Sequence, residues 1–127
     1  MGSRILRLGS TILRKWYRHY FGRIFATCAS LVLGLKVYDT QCGAKFFARD
    51  IVEELFRERF ISYWIFDVEL LYRYKNRWHD EGVTKRTIEI PLEYWEDVAG
   101  TKLKATDFLK APAELWTIHR TYRNAKR

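Results

Sequence analysis

The chain has little with which to cross-link or break itself: two cysteines, two prolines and one methionine among 127 residues. Cys28 and Cys42 have no Cys-x-x-Cys or histidine cluster beside them, so neither a zinc site nor a disulfide framework is indicated. Both read as free thiols in a reducing compartment. No apolar run approaches the roughly 18 residues that a membrane span requires. Phe25 to Leu35 comes nearest and carries Thr27 and Ser30. The opening Met-Gly-Ser-Arg has neither the apolar core nor the cleavage site of a signal peptide. Any membrane contact is therefore expected at the surface. Internal repeats and low-complexity linkers are also missing. Acidic residues are absent from the first 38 positions, and that absence is the most informative.

Before Asp39 come Arg4, Arg7, Arg14, Lys15, Arg18, Arg23 and Lys36, and a second basic cluster, Arg120, Arg123, Lys126 and Arg127, lies at the other end. The formal net charge is +8. Such asymmetry points to an anionic partner: phosphate groups on a ligand, nucleic acid or an acidic lipid surface. A merely solvated basic face is the blander alternative. With 48% apolar and 30% charged residues the chain is too hydrophobic to be disordered and too charged for a membrane bundle. It reads as one domain over residues 1–127.

Ser10 is placed to cap a helix in which Ile12, Leu13, Trp16, Tyr17, Tyr20, Phe21, Ile24, Phe25 and Cys28 recur at three- and four-residue steps. The helix should run to about Leu33, with Gly34 as its stop. Arg14 and Arg18 share another face. Lys36 to Phe47 reads as an extended segment bent at Gly43, Asp50 as the cap of a short helix through Arg57, and Tyr63 to Arg77 as a second helix with Phe66, Leu70, Leu71 and Tyr74 buried. His79 to Gly82 is turn material. Thr87 to Trp95 alternates as a strand, with Pro91 implying an edge or a bulge, and Thr106 to Tyr122 forms a closing helix kinked or restarted near Pro112. This is an α/β order with too few strands for a complete sheet, as if a strand-rich portion preceded it.

Gly2-Ser3-Arg4, Asp39-Thr40-Gln41-Cys42-Gly43-Ala44-Lys45-Phe46-Phe47 and Trp64-Ile65-Phe66-Asp67-Val68-Glu69-Leu70-Leu71 stand in order along the chain. With Trp95-Glu96-Asp97-Val98-Ala99-Gly100-Thr101-Lys102-Leu103, they resemble the family 2 glycosyltransferases that act on polyprenyl phosphates, the dolichyl-phosphate β-glucosyltransferase branch above all. The resemblance implies the C-terminal half of a GT-A type (nucleotide-diphospho-sugar transferase) fold. That half has an amphipathic N-terminal helix and a closing C-terminal helix. It also implies transfer of a hexose from a nucleotide sugar to a polyprenyl or dolichyl phosphate, at the cytoplasmic face of a membrane. The family's Asp-x-Asp metal motif precedes Gly-Ser-Arg, and no Asp-x-Asp occurs here. Asp67-Val68-Glu69 would place its carboxylates on different sides of a helix, a poor chelate. No metal is expected in this chain, whereas the complete enzyme would use Mg2+ or Mn2+.

The resemblance assigns the acceptor phosphate to Arg4 and Arg18, which Arg14 and Lys102 would assist. A lipid monophosphate is largely a dianion at pH 7 and needs positive charge more than a base. Asp39 and Gln41 fall in the catalytic cleft by the same resemblance. Asp39 should touch the sugar or order the arginines, while Asp67 and Glu69 help shape the cleft, unless they merely pair with Arg73 or Lys75. Trp95 and Tyr94 read as core aromatics before sugar platforms. Two further classes remain: a non-catalytic module that docks on anionic membranes, and a single-strand nucleic-acid binder built on Arg14-Lys15-Trp16-Tyr17-Arg18-His19-Tyr20. The helical period of those aromatics argues against nucleic acid.

Overall fold

The computed structural model describes residues 1–13, 16–96 and 105–124. The side chains of Trp16, Arg18, residues 105–108 and Asn124 are outside that description. The elements are β1 (Gly2–Ser3), β2 (Thr11–Leu13), α1 (Trp16–Leu33), α2 (Arg49–Phe56), α3 (Phe66–Arg86), β3 (Ile90–Pro91), β4 (Tyr94–Glu96) and α4 (Ala105–Asn124). They form a mixed α/β architecture of two compact units. The first holds Met1–Lys45 with Ile88–Leu103, and the second Phe46–Thr87 with Lys104–Arg127.

In the first unit, β1 pairs with β3 and β2 with β4, both in parallel, Gly2 facing Ile90 and Ile12 facing Trp95. Gly2 suits a closely packed position: a Cβ there would lie 3.2 Å from Ala44 Cβ, Cys42 Sγ and Leu92 Cδ2, a tight contact. Its N–H donates to the Ala44 carbonyl at 2.7 Å, which ties the irregular stretch after Leu35 to the strand pair. Two sequence expectations are corrected here. Ser10 does not cap α1: its hydroxyl bonds the Arg7 N–H and carbonyl and closes a turn through Gly9 (φ 82°). The β-branched and apolar residues beyond it join a strand, because Tyr94–Glu96 offers a pairing partner. The long expected strand over Thr87 to Trp95 is two short ones, since Pro91 has no N–H with which to continue a ladder.

Helix α1 ends at Gly34 (φ 65°), a conformation that suits a residue without Cβ. Among its described side chains Ala26, Ala29 and Leu33 are buried, and the two alanines permit close approach. Tyr20, Phe21, Ile24 and Leu31 are exposed, 64, 55, 62 and 77% respectively. Tyr17, Tyr20 and Phe21 of the apolar stripe are therefore exposed.

The second unit is helical, with α3 against both α2 and α4. Its core is Leu55, Ile65, Val68, Leu70, Leu71, Tyr74, Leu115 and Ile118. Each aliphatic side chain fully buried there stabilises by about 1.5–3 kcal/mol. Asp50 sits in the first turn of α2 rather than at its cap, which is Ala48. Helix α3 begins at Phe66 because Ser62 Oγ accepts the N–H groups of Trp64 and Ile65 and organises the approach. It continues to Arg86 across a break at His79 (φ 57°, ψ 175°), where the sequence suggested a turn. Pro112 lies inside α4 without ending it.

Candidate functional site

Arg4 follows β1 directly, and Asp39 lies in the irregular stretch that β1 anchors through Ala44. The two meet in a two-point ion pair, Nε to Oδ2 at 2.7 Å and Nη2 to Oδ1 at 2.8 Å. The same carboxylate accepts the backbone N–H of Arg4 at 3.1 Å and of Gln41 at 3.2 Å. Four N–H groups thus converge on Asp39. A carboxylate so engaged fits the orientation of Arg4 better than proton abstraction, and a forked pair fixes a guanidinium more strictly than a single bond does. Over the other side of Arg4 lies the Trp95 ring, 5.3 Å from Cζ to centroid.

The loop that carries Asp39 is itself held. Glu89 accepts the N–H of Asp39 at 2.8 Å and of Tyr38 at 3.0 Å, one on each carboxylate oxygen. Arg23 stacks on the Tyr38 ring at 3.8 Å and donates to its carbonyl. Sequence reasoning missed Glu89. The one available signal was a lone carboxylate in the alternating stretch, which reads equally well as solvent-facing.

Around the pair, among the described residues, Ser3 Oγ, Thr40 Oγ1, Gln41 Nε2 and Trp95 Nε1 are buried with no hydrogen-bond partner. Each belongs to a chain neighbour of Arg4 or Asp39, to Gln41 on the same turn, or to the ring beneath Arg4. A buried polar group without a partner costs about 1–3 kcal/mol, so each of these atoms has hydrogen-bonding capacity that the described residues do not use.

Asp67 and Glu69 lie in the second unit, both buried. Glu69 accepts from Ile61 N, Tyr122 Oη and Arg73 Nη2, at 2.7, 2.7 and 2.9 Å. Arg73 also donates to the carbonyls of Leu55, Glu58 and Arg59 and lies 4.2 Å over the Phe60 ring. The pair clamps the segment 55–62, which borders a groove of about 720 Å³ lined by Phe56, Arg57, Phe60, Ile61, Tyr63 and Phe66. Burial, then the bond to Glu69, pushes the Tyr122 hydroxyl up to about 12, and burial does the same to Tyr72, which bonds His119. Burial opposes the Arg73 charge, yet its bonds to Tyr122 and Glu69 leave its pKa raised. Arg14 and Lys102 lie outside the described residues. Arg18 is in α1, and its side chain is outside the description.

No family model and no solved structure matches the chain. Curated relatives do. A dolichyl-phosphate beta-glucosyltransferase of Trichomonas vaginalis is 36% identical over 92 residues, 72% of this chain and 25% of that protein. The enzyme of that name from Saccharomyces cerevisiae is 34% identical over 95 residues, 72% and 26% of the two chains. That from Mus musculus is 31% identical over 109 residues, 80% and 30%. The chain is homologous to part of the dolichyl-phosphate beta-glucosyltransferases. It spans about a quarter of the length of the glucosyltransferases it matches.

The metal that such glycosyltransferases commonly use finds no fitting donors among the described residues, where no group of three or more His, Cys, Asp or Glu could hold one. Glu69 is saturated by Arg73, Tyr122 and Ile61, so the Asp67-Val68-Glu69 run offers no chelate. No helix among the described residues is long and apolar enough to cross a membrane.

Proposed function

We propose that this chain forms the acceptor-phosphate side of a glycosyltransferase that moves a hexose, glucose in the named relatives, from a nucleotide sugar to dolichyl phosphate. The observation that carries the reading is the Arg4–Asp39 pair, a guanidinium fixed by two hydrogen bonds inside a chain homologous to these transferases. Bringing an acceptor dianion to a donor diphosphate works against their repulsion, and a permanently charged, oriented arginine offsets it. Arg4 and Arg18 bind the phosphate, Arg14 and Lys102 add charge, Asp39 orients Arg4, and Gln41 lies beside the reacting oxygen. Asp67 and Glu69 shape the second unit, Glu69 by clamping the segment 55–62. The nucleotide sugar and its Mg2+ or Mn2+ are held by parts of a GT-A type enzyme that this chain does not supply. The chain by itself is therefore inactive.

A peripheral position at the cytoplasmic face of the membrane goes with this reading. On a helix of 3.6 residues per turn, Tyr17, Tyr20, Phe21, Ile24, Cys28 and Leu31 fall within about 100° of one another. All are exposed, and the chain is strongly basic. That combination supports shallow insertion among anionic headgroups. No feature favours nucleic acid.

The test is a chimaera in which this chain replaces the matching stretch of the yeast glucosyltransferase. Arg4→Lys should raise KM for dolichyl phosphate about tenfold or more, the worth of one charged hydrogen-bonding partner, with KM for the sugar nucleotide unchanged. Equal effects on both substrates, or none, would remove the assignment. Lys36→Ala, an exposed base on the same unit, is the control.

A further inference from the structure

The four buried polar atoms around Arg4 are not chemically equivalent. Ser3 and Thr40 carry hydroxyls, which donate or accept as required. Gln41 Nε2 and Trp95 Nε1 can only donate. Among the described residues neither of these donors has an acceptor, although Gln41 and Trp95 are otherwise only partly buried. The Trp95 ring lies 5.3 Å from Arg4 Cζ, and the backbone N–H of Gln41 bonds the carboxylate that orients this guanidinium. An unpartnered indole N–H beside an oriented guanidinium suits a ligand rich in acceptor oxygens.

We infer that Trp95, with Gln41, is a further binding residue of this site, its indole N–H donating to an oxygen of the phosphate that Arg4 holds. The inference rests on the reading of Arg4 as the acceptor-phosphate residue and adds to it a neutral donor that the charge pattern could not reveal. Trp95 then serves twice. Its ring supports the guanidinium from one side, and its edge bonds the anion. This explains why a tryptophan rather than a phenylalanine is suited to the position on β4, and why its N–H is buried without an internal acceptor.

Trp95→Phe separates the two roles, since it keeps an aromatic face for Arg4 and removes only the donor. Binding of a soluble ten-carbon prenyl phosphate and, separately, of inorganic phosphate to the 127-residue chain would be measured by calorimetry, beside thermal unfolding without ligand. Trp95→Phe should bind prenyl phosphate about tenfold or more weakly, as for loss of a hydrogen bond to a charged group, with a midpoint equal to or above that of the parent. Gln41→Met should lose a comparable factor by removing the second donor. Weakening for prenyl phosphate alone assigns the site to the lipid headgroup, and equal weakening for both probes to phosphate in general; either supports the inference. Unchanged binding in Trp95→Phe and Gln41→Met, while Arg4→Lys still weakens it, would overturn this inference alone. No binding by the parent chain would overturn the reading of the site as well. A Trp95→Phe chain that unfolds at lower temperature and binds normally would show the ring to be scaffolding only.

Discussion

The two units treat buried polarity in opposite ways. In the helical unit Glu69 is fully buried, and its oxygens take hydrogen bonds from Arg73, Tyr122 and the backbone of the preceding loop. Arg73 returns bonds to the carbonyl of Leu55 near the end of α2 and to those of Glu58 and Arg59 in the loop beyond it. In the strand-bearing unit, Asp39 is comparably engaged, but the atoms around it on Ser3, Thr40, Gln41 and Trp95 are buried without partners among the described residues. A satisfied network rigidifies what surrounds it, whereas unsatisfied donors raise the free energy of the chain until something accepts them. The described polar network of the helical unit is thus satisfied internally, whereas the other unit retains polar groups without partners among the described residues.

Substitutions can break that contrast, and the largest effect belongs to Glu69→Ala. It leaves the largely buried Arg73 charge, the Tyr122 hydroxyl and the Ile61 N–H without their shared acceptor and should cost about 3–5 kcal/mol. The urea midpoint of the purified chain is the measurement. A cost below 1 kcal/mol would mean that the network is not what holds the helical unit.

Tyr122→Phe removes the hydroxyl that bridges Glu69 and Arg73 and should cost about 1.5–3 kcal/mol, the worth of a hydrogen bond to a charged group. The same residue carries a pH signature. Its pKa, like that of Tyr72, is raised in the fold from about 10 to about 12, so the unfolded chain loses these protons first. Stability is therefore intact below pH 10 and falls as pH climbs towards 12. Thermal midpoints across that range should drop less steeply in Tyr122→Phe than in the parent.

Opposite behaviour is expected in the strand-bearing unit. Thr40→Val exchanges a fully buried, unpartnered hydroxyl for a methyl of the same shape and should raise stability by about 1 kcal/mol. Loss of stability here would show the hydroxyl to be satisfied in solution, and the contrast between units would narrow.

The smallest effect serves as a calibration. His79 breaks α3 at φ 57° and ψ 175°, a region open almost only to glycine. His79→Gly relieves that strain against the entropy a glycine adds to the unfolded chain, for a net gain of up to about 1 kcal/mol, read as a small rise in thermal midpoint.

Local patterns were enough to find most helices. The period of α3 and α4 and the Gly34 stop follow from steric rules that act within a few residues, and so does the punctuation at His79. Long-range pairing had no such signal. Ser10 and Thr11–Leu13 look like the start of α1 until Tyr94–Glu96 offers a parallel partner, and the helical period alone does not say that Ala26 and Ala29, rather than Tyr20 and Phe21, take the buried face. For the site, the sequence supplied residue types, a cluster of bases before the first acid and motifs that resemble a transferase family. Only the tertiary structure brought Asp39 onto Arg4 across 35 residues and Glu89 onto the loop across 50, and only it ran the Trp95 ring beneath the guanidinium. Ionic and hydrogen-bonded partners are chosen by distance in space, and a linear chain does not record that distance.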